Sequence, residues 1–190
     1  MITIRRARPA DSIAIGAVHV SAWRSTYPGI LPDGYLARLS VSRQAAYYDT
    51  AIRSAGSVFV AAASGSDAAQ GNGPRIVGFA TAGPARRGSE INGRRLGEGE
   101  IETIYVLDDW RELGLGRRLM RAAAAQLADT GCRSVFLWVL RDNPSRWFYQ
   151  RLGGKPVAEA EIQFAGQMLV QTAFVWDPID RLLAASRMDS

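Results

Sequence analysis

The chain has 190 residues, of which 47% are hydrophobic and 22% charged, and its formal net charge is +5. These proportions indicate one packed globular domain and exclude wholesale disorder. No apolar run reaches the roughly 20 residues that span a bilayer, and the N-terminus lacks a signal-peptide pattern, so we expect no membrane contact. The single cysteine, Cys132, allows no intrachain disulfide and is compatible with a cytoplasmic protein.

The 23 basic residues include four arginine pairs that are spread along the sequence. A nucleic-acid-binding protein usually concentrates its positive charge on one face or one element. The spread of the arginine pairs therefore argues against nucleic-acid binding, and binding that strengthens sharply at low salt would be needed to revive that function.

The first half of the chain predicts a strand, three helices and an antiparallel strand pair. The strands are expected at Ile2–Arg6, 57–63 and 75–82, and the helices at about 12–26, 33–39 and 43–54. Asp11 and Ser40 or Ser42 are expected to cap helices. Residues 64–74, rich in Gly, Ser and Asn, predict a flexible hairpin loop, and residues 83–99 a second connection.

The stretch from Glu100 to Met120 organises the rest of the chain. It begins as a strand of β-branched and aromatic residues, turns through residues 111–116, and continues as a helix with apolar residues every four positions. A helix N-terminus gathers unpaired N–H groups at the positive end of the helix dipole and binds phosphates readily. Gly114 and Gly116 let the backbone approach a ligand that a Cβ would block. This turn therefore predicts a site for a phosphorylated cofactor.

The last third predicts a buried strand, a short helix and a strand pair. Gly131 is expected to end the central helix, and residues 134–140 form an apolar run typical of a strand buried on both faces. Asn143-Pro144 is expected to start a short helix with Trp147, Phe148 and Leu152 facing inward. Strands at 157–164 and 168–176 complete the sheet. We expect a domain over residues 1–177 and an extension over 178–190 that contains a short helix.

This order of elements resembles the GNAT superfamily of acetyl-CoA-dependent N-acetyltransferases over almost the whole chain. The pattern Arg111-x-x-Gly114-x-Gly116 resembles the family's pyrophosphate loop, and here it follows a strand and precedes a long helix. Asn143 followed by residues 148–153 (FYQRLG) resembles the N…FYxxxGF signature, with Gly154 where an aromatic residue usually stands. The segments 19–24 and 29–32 are similar to one bacterial branch.

The resemblance implies an α/β (α+β) fold with a mostly antiparallel mixed sheet of about seven strands, flanked by helices. The sheet is expected to splay between the cofactor strand and the strand that follows it. A β-bulge is the expected means of opening that strand.

The resemblance also implies that acetyl-CoA is the cosubstrate. No metal is expected, because no cluster of His, Cys, Asp and Glu has metal-ligand spacing. The expected cofactor contacts are Ile104, Tyr105 and Val106 in the strand, Arg111, Glu112, Leu113, Gly114, Leu115, Gly116 and Arg117 in the turn, and Asn143 and Tyr149. The N–H group of Val106 is the expected donor to the thioester carbonyl, which acyl transfer must polarise.

The resemblance assigns the catalytic roles to three residues. Tyr149 is expected to protonate the leaving sulfur, and Glu100 or its rival Glu102 to deprotonate the amine through water. Trp23 and Tyr27, together with Glu102, are candidates for contact with the acceptor. Other interpretations stay open: Tyr149 as a packed aromatic residue, Asn143 as a helix cap, and His19, the only histidine, as a structural residue.

The sequence thus predicts acetyl transfer from acetyl-CoA to a primary amine by direct attack in a ternary complex. Direct transfer is favoured because no nucleophile–base pair can be recognised. The alternative function is a non-catalytic module of the same fold that binds or senses acyl-CoA. The identity of the amine stays open, and a homodimer through the final strands is one expectation for the oligomeric state.

Overall fold

The computed structural model describes residues 1–54, 56–64, 74–86, 89–91 and 93–187. The strands are β1 (Ile2–Arg6), β2 (Ser57–Ala63), β3 (Arg75–Pro84), β4 (Glu90–Ile91), β5 (Arg94–Arg95), β6 (Gly99–Val106), β7 (Val135–Leu140), β8 (Lys155–Phe164) and β9 (Gln167–Trp176). The helices are α1 (Ser12–Thr26), α2 (Asp33–Ala37), α3 (Val41–Arg53), α4 (Leu115–Asp129), α5 (Arg146–Arg151) and α6 (Asp180–Ala185). Most of the predicted 64–74 loop lies outside the described residues.

Seven strands form one sheet in the order β1-β2-β3-β6-β7-β9-β8. Every neighbouring pair is antiparallel except β6 and β7, which are parallel. Helices α1 and α3 cover one face, where Ile15 and Tyr48 pack on strand residues such as Phe79. Helix α4 covers the other face through Leu119 and its neighbours. The predicted fold class is therefore confirmed. Within the described ranges, no helix is long and apolar enough to cross a membrane.

The parallel pair β6–β7 opens after only two registered positions. Gly99 pairs with Val135 and Glu100 with Phe136, and the remainder of β7 pairs with β9 alone. The edge of β6 beyond Glu100 is therefore not covered by a neighbouring strand on this side. The predicted splay is confirmed, and it creates a cleft between two strands of the same sheet.

The other edge of β6 contains the predicted bulge. Thr81 of β3 pairs with Thr103, whereas the next residue, Ala82, pairs with Ile101. Glu102 is therefore the extra residue of β6. A bulge bends its strand and strengthens the local twist, which fits the divergence of β6 from β7 at the same level of the sheet.

Several local predictions hold and three need correction. Ser40 caps α3 by accepting a hydrogen bond from the Arg43 N–H, and Gly131 follows α4 with a φ of 92°. Asp11 precedes α1 but makes no side-chain cap, because its carboxylate pairs with Arg5 and accepts from the Arg8 N–H.

The other two corrections concern α5. The helix begins at Arg146 rather than at Asn143-Pro144, which form a turn before it. Trp147 does not face inward: it is 52% exposed, with the Arg146 guanidinium over its ring. In a helix of six residues, apolar spacing alone cannot tell which side is covered.

Gly154, where the family pattern usually has an aromatic residue, is explained by Trp176. The fully buried Trp176 ring lies against Gly154, and its indole N–H donates to the Leu152 carbonyl at 2.8 Å. A Cβ on Gly154 would be 2.6 Å from Trp176 Cζ2 and 2.9 Å from the Tyr149 carbonyl oxygen. An aromatic ring from β9 thus occupies this part of the core.

We expect Gly154→Ala to lower the free energy of unfolding by about 1–3 kcal/mol, the usual cost of overpacking a core. Chemical denaturation followed by tryptophan fluorescence measures this change. Gly34→Ala, inside α2 with only the Arg38 side chain nearby at 3.5 Å, serves as the control and should be neutral or stabilising. Equal effects of the two substitutions would contradict the role given to Trp176.

Candidate active site

The splay between β6 and β7 opens into a cavity of about 780 Å³. One wall is β6 from Ile101 to Val106, and the opposite wall is β7 from Leu137 to Leu140. The start of α4, the inner side of α5 and the C-terminal end of α1 complete the lining. The cavity therefore joins the helix N-terminus predicted to bind phosphate with the strand predicted to bind the cofactor arm.

The start of α4 has the geometry of an anion site. Gly114 precedes the helix with a φ of 73°, and the first helical hydrogen bond runs from the Arg118 N–H to the Gly114 carbonyl. The preceding N–H groups of the turn have no partner within the helix. A Cβ on Gly116 would lie 3.1 Å from Phe148 Cζ, so glycine allows α4 and α5 to approach closely here.

The predicted turn residues do not all face the cavity. Arg111, Glu112, Gly114, Leu115, Gly116 and Arg117 line it, whereas Leu113 is exposed at 58% and is not part of the lining. Glu112 has a φ of 63°, a left-handed conformation that is uncommon for a residue with a side chain. Glu112 and Gly114 are thus two left-handed residues close together in one turn. Turns that contain left-handed residues can bring successive backbone N–H groups together and so favour anions.

The Arg111 side chain connects this turn to α1. Its guanidinium lies 2.8 Å from Asp108 Oδ1 and donates to Thr26 Oγ1 at 3.0 Å. Ser25 Oγ also donates to Asp108 Oδ1, at 3.1 Å. The two sides of the cavity are therefore linked by polar contacts that engage the Arg111 side chain.

Tyr149 projects from α5 into the cavity and is only 6% exposed. Its ring packs on Phe148 and Phe174. Burial raises the pKa of Tyr149, so the phenol is protonated at neutral pH. Among the described residues, no hydrogen-bond partner is found for its hydroxyl, which is free to donate to a molecule in the cavity.

Asn143 lies in the turn between β7 and α5 and is buried. Its Oδ1 accepts from the Ser145 N–H at 2.8 Å, and its Nδ2 donates to the Tyr27 hydroxyl at 3.2 Å. Asn143 therefore supports the turn before α5 and also fixes Tyr27, which lines the cavity from the end of α1. The side chain has one more N–H to offer to a ligand.

Trp23 lies behind Tyr27 in an aromatic group. Its ring stacks on His19 at 4.9 Å between centroids and contacts Tyr27, Tyr35 and Phe164. The indole nitrogen is buried without a hydrogen-bond partner among the described residues. Trp23 is not part of the cavity lining, so the structure places Tyr27, but not Trp23, in the cleft wall.

The two glutamates of β6 lie close together and differ in their contacts. Glu102 lines the cavity; one of its carboxylate oxygens is 2.5 Å from the Arg86 guanidinium, and the other accepts from Thr81 Oγ1 at 3.4 Å. The Glu100 carboxylate has no hydrogen bond or ion pair among the described residues. Burial raises the pKa of Glu100, and the nearby charge of Glu102 raises it further.

The sequence did not predict that Arg86 and Thr81 contact Glu102. It also did not predict that Leu137–Leu140 forms the second wall of the cavity. Arg86 stands in a connection rich in Gly and Arg, where nothing in the sequence distinguishes it from Arg87. The apolar run of β7 could have predicted this second wall, because the strand on the far side of a splay must line the gap. Within the described part of the chain, no group of His, Cys, Asp and Glu side chains could hold a metal ion.

His19 is buried in α1, and its Nδ1 lies 2.8 Å from the Tyr48 hydroxyl. Burial lowers the pKa of His19 to about 4 from an ordinary value of 6.5. An unfolded chain thus binds a proton at His19 between these pH values while the folded chain does not. Stability contributed by neutral His19 is therefore lost as the pH falls from 6.5 to 4.

We expect this difference to remove up to about 3 kcal/mol of unfolding free energy between pH 6.5 and pH 4. Denaturation midpoints across that range measure it. His19 is the only histidine. His19→Gln should therefore remove the fall in unfolding free energy between pH 6.5 and pH 4, and leave the loss of stability below pH 4 unchanged. An unchanged curve in the variant would show that His19 is not the group responsible.

Known proteins resemble this chain in both sequence and fold. Residues 20–154 match the model of the acetyltransferase (GNAT) family. The chain belongs to the GNAT family. A curated relative from Bacillus subtilis (strain 168), described as the uncharacterized N-acetyltransferase YuaI, is 35% identical over 182 residues, which cover 96% of each chain.

Solved structures of several acetyltransferases have the same fold. An N-acetyltransferase from Staphylococcus aureus Mu50 matches with a TM-score of 0.66 at 21% identity, covering 93% of this chain and 98% of that one. The putative acetyltransferase yncA from Salmonella typhimurium, solved with acetyl-CoA, matches with a TM-score of 0.63 at 24% identity, covering 93% of both chains. PaiA N-acetyltransferase from Thermoplasma acidophilum, solved with coenzyme A, gives 0.63 at 17% identity, covering 90% of this chain and 98% of that one.

Proposed function

We propose that this GNAT protein transfers the acetyl group of acetyl-CoA to a primary amine by direct attack within a ternary complex. The observation that carries the proposal is the cleft itself: β6 and β7 separate beyond Glu100, and the N-terminus of α4 opens into the same cavity. The free edge of one strand and the N-terminus of a helix thus stand side by side. The relatives solved with acetyl-CoA or coenzyme A support the choice of cosubstrate.

The residues of the chain fit acetyl-CoA in three places. The amides between Gly114 and Arg117 would hold the pyrophosphate. The uncovered backbone edge of Ile104–Val106 would hydrogen-bond the pantetheine arm as an added strand does. The Val106 N–H would polarise the thioester carbonyl, since a fixed donor aimed at the developing negative charge lowers the barrier.

The chemistry requires three proton transfers before the products leave. Glu100 or Glu102 takes a proton from the ammonium group of the acceptor through water, which frees the nitrogen lone pair. The nitrogen then forms a bond to the acetyl carbon while the carbon–sulfur bond breaks. Tyr149 donates its phenolic proton to the sulfur, and the surplus proton on the product nitrogen passes to solvent. As the products leave, Tyr149 regains a proton from solvent and the glutamate releases its proton to solvent. Buried Tyr149 suits the acid role because its proton is retained at neutral pH.

The experiment that tests the proposal is an acetyl-transfer assay across a panel of primary amines. Thiol release from acetyl-CoA should depend on both the amine and the protein, and the product amine should gain one acetyl group by mass spectrometry. Tight binding of acetyl-CoA without amine-dependent thiol release would contradict catalysis. That result would instead favour the non-catalytic sensing module.

A further inference from the structure

The cavity in the splay reaches both faces of the sheet. Helix α4 packs on one face, where Leu137 and Val139 of β7 join the same core cluster as Met120 and Ala123 of α4. Trp138 stands between Leu137 and Val139, so its side chain projects from the opposite face of the strand. Trp138 thus lines the cavity on the face that α1 and α3 cover elsewhere in the sheet.

Glu102 lies on the same face, at the other wall of the splay. It accepts a hydrogen bond from Thr81 Oγ1, and Thr81 follows Phe79 by two positions in β3, a residue that packs with α1 and α3. The last registered pair of β6 and β7 precedes Glu102 and Trp138 by two residues on each strand. Glu102 and Trp138 therefore flank the opening at the same level, on the side away from α4.

Trp138 is less covered than its neighbours on this face of β7. Phe136 is fully buried, and a Cβ on Gly97 would be only 3.1 Å from Phe136 Cδ1, so the chain at Gly97 lies against that ring. Leu140 packs on the aromatic cluster that contains Tyr27. Trp138 is half-buried, and it has no aromatic ring contact or side-chain hydrogen bond within the described residues. A tryptophan that lines a cavity without a partner of its own is suited to contact a ligand.

This side of the cavity is aromatic around its carboxylate. Tyr27 and Tyr105 line the cavity together with Trp138. The Asn143 amide holds the Tyr27 hydroxyl at 3.2 Å, which fixes that ring at the cavity wall. Three aromatic side chains favour a ligand with a flat apolar group over one with a polar chain.

The charge on this side matches one ammonium group rather than two. One Glu102 oxygen is 2.5 Å from the Arg86 guanidinium, so the pair carries no net charge. The carboxylate retains lone pairs for one amino group. A second ammonium group would meet the Arg86 cation without a carboxylate of its own, because Glu100 is not part of the cavity lining.

We propose that the acceptor is a primary amine with an aromatic body and a single positive charge, and that Trp138 is the residue that selects it. The aromatic body lies on the indole ring, and the amino group points across the splay to Glu102. The proposal rests on the proposed acetyltransferase function, to which it adds the chemical class of the acceptor and a substrate-binding residue in β7.

The class of the acceptor is tested by calorimetric binding of amines to the protein saturated with coenzyme A, where no acetyl transfer takes place. Phenethylamine has an aromatic body and one charge, ethanolamine lacks the aromatic body, and putrescine carries a second charge. We expect phenethylamine to bind at least about tenfold more tightly than either of the other amines. Ethanolamine or putrescine binding as tightly as phenethylamine would overturn the proposed class.

The role of Trp138 is tested in the same assay by Trp138→Ala and Trp138→Phe. Alanine should weaken phenethylamine binding about tenfold and leave ethanolamine binding unchanged, whereas phenylalanine should keep phenethylamine affinity within about threefold of wild type. Trp147→Ala is the matched control and should change neither affinity, because Trp147 is 52% exposed on α5 and lies outside the cavity lining. Unchanged affinity for coenzyme A shows that each variant keeps the folded cavity.

The kinetic arm separates this proposal from the acetyltransferase function on which it rests. With acetyl-CoA present, Trp138→Ala should raise KM for phenethylamine about tenfold and leave KM for acetyl-CoA unchanged. Binding of phenethylamine that depends on Trp138, without acetyl transfer, would contradict the acetyltransferase function and support the ligand class. Phenethylamine binding that is equal in the wild type and Trp138→Ala would overturn the role of Trp138.

Discussion

Tyr149→Phe is expected to lower kcat about 100-fold or more, the usual contribution of a general acid. Without the phenolic hydroxyl, coenzyme A must leave as an unprotonated thiolate. The aromatic ring of the variant keeps its contacts with Phe148 and Phe174, so packing does not change. Because the hydroxyl is needed only as the bond to sulfur breaks, KM for acetyl-CoA should change by no more than about twofold. Steady-state rates with a saturating amine, together with calorimetric binding of acetyl-CoA, measure the two effects.

Tyr35→Phe is the matched control, since it removes one phenol from the aromatic group beside α1 and leaves the cavity lining unchanged. It should retain wild-type kcat. If Tyr149→Phe also retained full turnover, Tyr149 would be a packing residue and another group, or water, would protonate the sulfur. If Tyr149→Phe lowered both the affinity for acetyl-CoA and kcat, the hydroxyl would act mainly in binding acetyl-CoA.

Gly114→Ala is expected to raise the dissociation constant of acetyl-CoA about tenfold or more. Gly114 stands at a φ of 73°, where a residue with a side chain is strained by about 1–2 kcal/mol. Relief of that strain would turn the first amides of α4 away from the pyrophosphate. Loss of one hydrogen bond to a charged group costs about 1.5–3 kcal/mol, which corresponds to the expected loss of affinity.

The opposite end of the same helix provides the control for this substitution. Gly131 has a φ of 92° after the last turn of α4, and a Cβ there meets nothing within 4 Å, as at Gly114. Gly131→Ala should therefore lower the melting temperature by a similar amount and leave acetyl-CoA affinity unchanged. Equal losses of affinity in the two variants would mean that α4 stability, rather than the Gly114 turn, controls binding.

The parts of this protein that sequence could predict are those in which neighbours along the chain determine the structure. The β6–turn–α4 unit is local: its alternating strand, Gly114 and the apolar spacing of α4 are all read within about twenty residues. The splay and the bulge followed from the family resemblance. The residue that bulges, Glu102, could not be predicted, because it depends on the register of β6 against Thr81 and Ala82 in β3.

The parts that sequence could not predict are contacts between distant segments. Asn143 holds Tyr27 across 116 positions, and Arg86 reaches Glu102 from a connection with no regular pattern. Gly154 departs from the family pattern, and the reason lies in Trp176, a residue of a different element that packs against it. Trp147 was placed inside on spacing alone, although the short α5 leaves that side of the helix exposed.

The most direct test of this account is a crystal structure of the protein with coenzyme A. We predict that the pantetheine arm lies between β6 and β7 beyond Glu100, hydrogen-bonded to the backbone of Ile104–Val106. The pyrophosphate should accept from the amides of Gly114–Arg117, and the sulfur should lie within hydrogen-bonding distance of the Tyr149 hydroxyl. Coenzyme A bound outside the splay, or a sulfur out of reach of Tyr149, would contradict the proposed site and its chemistry.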